Sequence, residues 1–348
     1  ANAADWSVDP FSGVIKDGCI WGRGAVDMKN MDAMILAVIR LWAKHGYQQD
    51  RTLVVIFFGD EEAGGKLGSQ WMVKNHPEVF KGCSESISEV GGYSITLKSR
   101  KRIYAIETSQ KGIEWMKLTA RGLAGHGAAT NKENSVTRLA EAVSRIGNHK
   151  WPQRITKTNR QFFKRVAEIS GKPFEEDNLQ PLLDEVGVLA RLITPTLSNT
   201  ANPTMLEAGY KANVIPQTAS AIVDCRTLPG YEDELLETVK HLAGEHVTVE
   251  SMISDIPLEV EFAGLLVEAM IAAIHSEDPE GIPVPYVVFG GTDNKALAAL
   301  DIVGYGFAPL KLPPDLDFGA LFHGIDERVP IDSLQFGART LFHFLVNA

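Results

Sequence analysis

Apolar runs alternate with amphipathic segments over residues 19–91 of this 348-residue chain. The runs TLVVIFF (52–58) and SESISEV (84–90) are predicted to be strands, the first of them buried. Before them, residues 28–45 repeat apolar side chains at helical spacing, which predicts a helix with one face in the core. This alternation predicts a parallel or mixed sheet covered by helices, with ligand sites beyond the carboxyl ends of the strands.

Three consecutive carboxylates, Asp60, Glu61 and Glu62, follow the run TLVVIFF directly. Like charges held this close in a partly dry site raise one another's pKa, at about 1.4 kcal/mol per pKa unit. One explanation is an acidic start to a helix predicted over 67–76, since a helix N-terminus favours anions. The other is a site in which a bound cation offsets the repulsion.

The composition limits the class of protein. With 45% hydrophobic and 22% charged residues, the chain is long enough for about two globular domains. A formal net charge of -10 argues against a nucleic-acid partner. Cys19, Cys83 and Cys225 are widely separated, which is typical of free thiols in a reducing compartment. Without a signal-like start or an apolar run of membrane length, we predict a cytoplasmic protein with no membrane partner.

A second pattern begins near residue 111 and has the order βαββαβ, which is that of a ferredoxin-like fold. A largely helical insertion, near 150–202, separates its first helix from its second strand. The strands and helices of this pattern are predicted at 114–120, 135–147, 205–216, 219–227, 232–243 and 246–252.

After residue 256 the first pattern resumes, and the chain ends in a helix predicted from residue 331. We therefore predict an α/β domain formed by residues 1–110 and 255–348. A smaller α+β domain, residues 111–254 including the insertion, interrupts it.

Four possible metal ligands fall at loop positions of the α/β domain: Asp27 in GRGAVDMKN, Glu62 in GDEEAGG, Glu89 in SEVGG and His323 in LFHGIDE. Each has an ordinary explanation when taken alone. Asp27 could cap the helix that starts at Met28, Glu89 could be a solvated strand end, and His323 could be a loop histidine. Together, carboxylates and an imidazole form a ligand set suited to Zn²⁺, Mn²⁺ or Co²⁺.

A cation at this position would also explain the three consecutive carboxylates. Neighbouring side chains of an extended segment point to different sides, so Glu62 could face a metal while Glu61 faces the attacking water as general base. Asp60 would then orient its neighbours.

Eight motifs, in order and over nearly the whole chain, resemble those of the aminoacylase, carboxypeptidase G and acetylornithine deacetylase family of di-zinc amidohydrolases. The motifs are DWSVDPFSG, GRGAVDMKN, GDEEAGG, SEVGG, KANVIP, DCRTLPG, GGTDNKAL and LFHGIDERV. The resemblance implies a zinc-peptidase-like α/β catalytic domain, interrupted by a ferredoxin-like lid domain through which two copies form a homodimer.

The resemblance also implies roles for the acidic loops. Asp27 would bridge two metal ions, Glu62 and His323 would complete one site, Glu89 would serve the other, and Glu61 would be the general base. Two Zn²⁺ ions per active site are expected in the complete protein, with Mn²⁺ or Co²⁺ as possible substitutes.

In the lid, the resemblance implies that His126 in GLAGHGA stabilises the oxyanion across the dimer interface. Asn213 and Arg226 match positions that hold the substrate, and the guanidinium fork of Arg226 suits a carboxylate. Gly291 and Thr292, in the α/β domain, match a loop that contacts the substrate.

One motif of the family has no counterpart here. The family carries a His-x-Asp motif, which supplies one metal ligand and a supporting carboxylate, just before the segment that resembles DWSVDPFSG. This sequence begins at Ala1, four residues before Asp5. Either the sequence is a fragment, or its second metal site is incomplete.

We therefore predict a metal-dependent hydrolase of amide or peptide bonds in small substrates. It would be a dipeptidase, a carboxypeptidase or an N-acyl amino acid hydrolase that uses metal-activated water, with Glu61 as general base. The alternative is a non-catalytic dimer that binds peptides or amino acids and has an incomplete metal site.

Overall fold

The computed structural model describes residues 3–348. Its α-helices are, in chain order, α1 (Lys29–His45), α2 (Ser69–Asn75), α3 (Ser135–Gly147), α4 (Lys157–Ser170), α5 (Gln180–Val186), α6 (Ala190–Ile193), α7 (Glu232–Ala243), α8 (Leu265–Glu277), α9 (Asn294–Ala298) and α10 (Ile331–Asn347). Its strands are β1 (Ile15–Lys16), β2 (Cys19–Trp21), β3 (Glu85–Ser88), β4 (Tyr93–Thr96), β5 (Arg102–Gln110), β6 (Gly112–Arg121), β7 (Gly125–His126), β8 (Thr200–Ala208), β9 (Val214–Ile215), β10 (Thr218–Thr227), β11 (Val247–Asp255), β12 (Leu258–Glu259), β13 (Ile282–Val288), β14 (Val303–Gly306) and β15 (Arg328–Pro330).

The larger sheet is mixed, as the strand and helix alternation predicts. Its strands follow the order β12-β5-β14-β3, and β13 and β4 also pair with β5. The pairs β13–β5 and β14–β3 are parallel, whereas β4 and β12 run antiparallel to β5. We call this sheet, with α1, α8 and α10 packed around it, the body. Helix α10 contacts both α1 and α8.

Helix α1 shows how the sequence specifies one of these layers. Met31, Met34, Val38 and Trp42 recur at helical spacing and are buried in the core of the body. The helix ends at Gly46, which has φ +64° and donates its N–H to the carbonyl of Trp42. Glycine adopts this left-handed conformation at little cost, so the predicted helix over 28–45 is confirmed together with a physical reason for its end.

The smaller sheet has the order β11-β6-β10-β8, with every pair antiparallel. Helices α3 and α7 pack against each other and against this sheet, and their apolar residues form a second core around Leu118, Val223 and Leu235. The predicted order βαββαβ is confirmed, and both helices have the predicted bounds. We call this unit the lid.

The predicted insertion is helical and contains α4, α5 and α6. Its buried side chains, among them Phe162, Phe163 and Leu182, belong to the core of the body, and α4 packs against β13. The insertion therefore lies between two lid elements in the sequence, but it packs against the body. The domain boundaries at residues 110 and 254 stay a prediction.

The prediction of a buried strand at 52–58 is wrong. No strand is formed there among residues 3–348, and Leu53, Val54 and Phe57 are exposed. Ile56 and Phe58 pack instead against a small cluster around Phe80. An apolar run favours a strand, but a strand forms only where a neighbour accepts and donates its backbone hydrogen bonds, and no described strand pairs with this segment.

The three cysteines are free thiols, and Cys225 is buried in the lid core. Over residues 3–348, no helix combines the length and the apolar character that crossing a membrane requires.

Candidate active site

A cleft of about 1410 Å³ lies between the body and the lid. The body contributes acidic residues to its lining, including Glu61 and Glu89. The lid contributes residues of β6, β10 and β11, including Trp115, Arg226 and Ile253. The cleft lining thus includes predicted site residues from both the body and the lid.

Three of the predicted metal ligands meet at the body side of the cleft. The Nε2 atom of His323 lies 3.1 Å from Oδ2 of Asp27 and 3.1 Å from Oε2 of Glu62. One ligand atom from each residue lies within 4.8 Å of the others, which is close enough to share one metal ion. Two carboxylates and an imidazole are donors that suit Zn²⁺, Mn²⁺ or Co²⁺, so these residues fit such an ion.

Asp27 lies in the turn between β2 and α1. The N-cap of α1 is Met28 and has no side-chain capping bond, so the alternative that Asp27 caps this helix is wrong. Gly24, in the same turn, has φ +82°, a conformation that L side chains rarely adopt, so glycine is favoured there. Asp27 lines the cleft.

The three consecutive carboxylates have three different environments. Asp60 has φ +71° and accepts the Leu67 N–H at 2.8 Å, which ties the two ends of the loop 60–67 together. That it orients Glu61 and Glu62 stays a prediction. Glu61 is half-buried in the cleft, and Glu62 is exposed where it meets His323.

The backbone of this loop corrects two expectations. Glu61–Ala63 is a short 3-10 helix rather than an extended segment, although successive side chains still diverge. Helix α2 begins at Ser69 and has no acidic residue in its first turn, so the carboxylates are not the acidic start of that helix.

Glu89 follows β3, at the end that pairs with β14. Only 6% of its surface is exposed, so the explanation as a solvated strand end is wrong. Gly91, two residues later, has φ +156°, and a Cβ there would lie 2.2 Å from the carbonyl oxygen of Gly306. The close approach of the backbone in this loop keeps Glu89 against the sheet and beside Asp27.

The carboxyl groups of the cleft raise one another's pKa. Burial, then the charges of Asp293, Glu62 and Asp27, raise the pKa of Glu61 to about 7. Burial and the charges of Asp27 and Glu61 also raise the pKa of Glu89 well above its ordinary value, and its side chain is hydrogen-bonded to Asp27. A bound divalent cation would relieve this repulsion.

Gly291 and Thr292 line the cleft, as the resemblance implies. The Oγ1 atom of Thr292 accepts a hydrogen bond from Gln110 at 2.7 Å, and its backbone N–H donates to the same amide at 2.9 Å. A Cβ at Gly291 would lie 2.7 Å from the Nζ atom of Lys295. The structure thus gives this loop a rigid base, while its contact with substrate stays a prediction.

Arg226 lines the cleft from β10, but its guanidinium is already paired. Its Nε and Nη2 atoms donate to the two carboxylate oxygens of Asp224, at 2.7 Å and 3.1 Å. Asp224 lies on the same face of the strand, because alternate residues share a face. The sequence shows both residues in DCRTLPG, but we did not predict the pair.

His126 and Asn213 lie together on the lid, away from this chain's cleft lining. Strands β7 and β9 form a short ribbon that pairs His126 with Val214, and the Gly127 N–H donates to the carbonyl of Asn213 at 2.9 Å. Both side chains are exposed. The structure therefore brings these two predicted residues to each other but not to the acidic cluster.

Two charged residues near the cluster were not selected from the sequence. Asp293 lines the cleft, and burial raises its pKa while a hydrogen bond from Ser69 lowers it. Glu327 is buried and accepts backbone N–H groups of the Asp27 turn. Asp293 lies in the motif GGTDNKAL and Glu327 in LFHGIDERV. The sequence signal that could have identified them is that each lies within four residues of a predicted site residue, Thr292 or His323.

Apolar side chains also line the cleft, and we call them its apolar wall. Trp115, Ile256 and Phe289 are 38%, 54% and 41% exposed, and Ile113 and Ile253 lie in the same lining. Exposed apolar groups concentrated in one cavity, rather than scattered singly, are typical of a binding surface.

Comparison with known proteins matches the whole chain. The family model described as Peptidase family M20/M25/M40 matches residues 1–347. Mouse (Mus musculus) N-fatty-acyl-amino acid synthase/hydrolase PM20D1 is 29% identical over 362 residues, 99% of this chain and 71% of its own. Pig (Sus scrofa) aminoacylase-1 is 27% identical over 346 residues, 93% of this chain and 71% of its own.

Solved structures support the same fold. An M20 family metallo-carboxypeptidase, Sso-CP2 from Sulfolobus solfataricus, has a TM-score of 0.67 at 17% identity, covering 99% of this chain and 81% of that one. At this identity the likeness concerns the fold alone, and it confirms the predicted zinc-peptidase-like α/β class.

Proposed function

The chain belongs to peptidase family M20/M25/M40 and is therefore a metal-dependent hydrolase of peptide or related amide bonds, and we propose that its substrates are N-acyl amino acids with an apolar acyl group. The observation that carries the catalytic part is the meeting of Asp27, Glu62 and His323 in the same cleft as Glu61. The apolar wall of that cleft carries the substrate part.

Asp27, Glu62 and His323 would hold one divalent ion, and Glu89, beside Asp27, would contribute to a second. Bound there, Zn²⁺ would polarise the substrate carbonyl and lower the pKa of water.

Glu61 is the general base in this proposal. It lies next to the ligand Glu62 but diverges from it, so its carboxylate is free to take a proton from the attacking water. The new C–O bond gives a tetrahedral oxyanion. The C–N bond breaks when this species collapses, as Glu61 passes the proton to the leaving amine. The products are a carboxylic acid and a free amino acid.

The lid would bind the amino acid end of the substrate. Arg226 brings a positive charge to the cleft from the lid; Asp224 takes its Nε and Nη2 donors and holds the guanidinium in place, so Nη1 would be the donor to the substrate carboxylate. His126 and Asn213 belong, in this proposal, to the cleft of a second copy in a homodimer. This would explain why both are exposed and lie together outside their own cleft.

The acyl group would lie against Trp115, Ile256 and Phe289. The names of the mouse and pig relatives, an N-fatty-acyl-amino acid hydrolase and an aminoacylase, support an acyl substrate over a dipeptide. Each methylene that leaves water gains about 0.8 kcal/mol, or about fourfold in kcat/KM.

A substrate series tests this proposal. With N-acyl derivatives of one amino acid, from acetyl to long unbranched chains, kcat/KM should rise about fourfold per methylene until the wall is covered. Trp115→Ala should flatten this rise. Trp71→Ala is the matched control, because Trp71 is also partly exposed, at 45%, but lies outside the cleft lining. Faster turnover of unacylated dipeptides than of any N-acyl amino acid would contradict the substrate class.

A further inference from the structure

The turn that carries Asp27 is held by a carboxylate outside the proposed ligand set. Glu327 is fully buried, with 0% of its surface exposed. Its Oε2 atom accepts the Gly24 N–H at 2.8 Å, and its Oε1 atom accepts the N–H groups of Val26 at 2.8 Å and Asp27 at 3.3 Å. One side chain thus satisfies three backbone donors of the turn.

The same residue joins this turn to the segment that follows His323. Nη1 of Arg23 donates to the Glu327 carboxylate at 3.0 Å, and Nη2 donates to the carbonyl of Gly324 at 2.7 Å. The Gly22 N–H donates to the backbone carbonyl of Glu327 at 3.0 Å. Two loops from opposite ends of the chain are therefore fixed against each other.

A carboxylate suits this position better than any neutral side chain. It carries only acceptors, so both of its oxygens can receive the backbone and guanidinium donors, and its charge strengthens each bond. The amide of glutamine would turn an NH₂ group toward one set of these donors. The turn would then lose at least part of its support.

We infer that Glu327 is a positioning residue of the metal centre: through the turn it fixes Asp27, and through residues 324–327 it fixes His323. A buried partner that orients a metal ligand commonly contributes as much as one to two orders of magnitude in metal affinity. The inference rests on the proposed function, because it assumes that the Asp27 cluster binds a divalent cation.

The test measures Zn²⁺ affinity by competition with a chromophoric chelator. Glu327→Gln should weaken Zn²⁺ binding about 10- to 100-fold. In the metal-free protein, the amides of Gly24, Val26 and Asp27 should exchange hydrogen faster in this variant than in wild type, because their acceptor is impaired.

Glu185→Gln is the matched control. Glu185 is also a buried carboxylate, 3% exposed, that accepts the Ser99 N–H at 2.7 Å and pairs with Lys172 at 2.8 Å, but it does not line the cleft. Both variants should lower the thermal midpoint, whereas only Glu327→Gln should weaken Zn²⁺ binding. A merely structural role would leave Zn²⁺ affinity equal in the two.

Wild-type Zn²⁺ affinity in a folded Glu327→Gln protein overturns the inference and leaves the proposed function standing. A wild-type protein that binds no Zn²⁺ overturns the proposed function, and the inference with it. If Glu327→Gln does not fold, Arg23→Gln decides, because the side chain of Arg23 is 32% exposed and tolerates change more readily. This variant should bind Zn²⁺ several-fold more weakly, and unchanged affinity overturns the inference.

Discussion

The predicted residues of the body and those of the lid are arranged in opposite ways. In the body, Asp27, Glu62 and His323 come from three distant loops and meet within 4.8 Å. In the lid, His126 and Asn213 lie side by side on an exposed ribbon and reach no part of the cleft lining.

This difference teaches what each unit can supply within a single chain. The body loops around Glu62 and Glu89 lie beside one sheet, and the turn of Asp27 is tied to the His323 segment, so their convergence is a property of the fold. Over residues 3–348, the ribbon of β7 and β9 makes no hydrogen bond to the body. The proposal that its residues act in the cleft of a second copy rests on this separation.

Metal removal should have the largest effect, and it should act on the body alone. A chelator should abolish hydrolysis, and added Zn²⁺ should restore it, because the carbonyl and the water are then activated again. Hydrogen exchange of the turn at 22–28 should accelerate without metal, whereas that of β6 and β10 in the lid core should not change. Full activity in metal-free protein, verified by elemental analysis, would remove the metal from the mechanism.

Glu61→Gln should lower kcat by on the order of a hundredfold or more, because general-base assistance is lost. Zn²⁺ content should stay at the wild-type level, since Glu61 lies outside the cluster of Asp27, Glu62 and His323. The control is Glu141→Gln, an exposed change on α3 that should leave kcat unchanged. Wild-type turnover in Glu61→Gln would exclude this residue as the base.

His126→Ala tests the lid in the same assay. The homodimer should lose about a hundredfold in kcat, the usual cost of one oxyanion donor, while His246→Ala, another exposed lid histidine, should lose nothing.

Mixed dimers then decide where His126 acts. Equal amounts of His126→Ala and Glu61→Gln subunits should form about half heterodimers, each with one intact composite site, so about a quarter of wild-type activity should return. If native mass spectrometry shows complete subunit exchange and no activity returns, His126 either acts in its own chain or has only a structural role.

Arg226→Lys should have the smallest effect and tests the lid residue that does reach its own cleft. Loss of the Nη1 donor should raise KM about tenfold, or about 1.4 kcal/mol, with little change in kcat, because binding is weakened equally in the ground and transition states. Arg145→Lys is the control, since Arg145 donates to the carbonyls of Leu242 and Ala243 on the lid. An unchanged KM would mean that Arg226 serves only its pair with Asp224.

Much of the fold could be predicted because its signals are local. Helices α3 and α7 have the predicted bounds, and the predicted start of α10 is confirmed. The order of the lid elements follows from the same periodicity. Asp27, Glu62 and His323 were selected from their residue types at loop positions and from the family resemblance, and the structure brings these residues together.

Other features could not be predicted, because they depend on contacts between distant segments. Nothing in DCRTLPG shows that Asp224 occupies the fork of Arg226, and nothing near Glu327 shows that its acceptors lie against the turn of Asp27. The sequence of the insertion also did not show that its apolar side chains pack into the core of the body.

The sequence by itself determined helices α1, α3, α7 and α10, the residue types of the acidic cluster and the family. Each helix pattern and each motif is encoded within a few neighbouring positions, and the family follows from eight such motifs in order along the chain. Only the tertiary structure decided that residues 52–58 form no strand and that His126 lies outside the cleft of its own chain. A helix makes its backbone hydrogen bonds within one segment, so the local sequence pattern is enough to predict it. A strand or a composite site needs a partner from elsewhere, which local sequence does not specify.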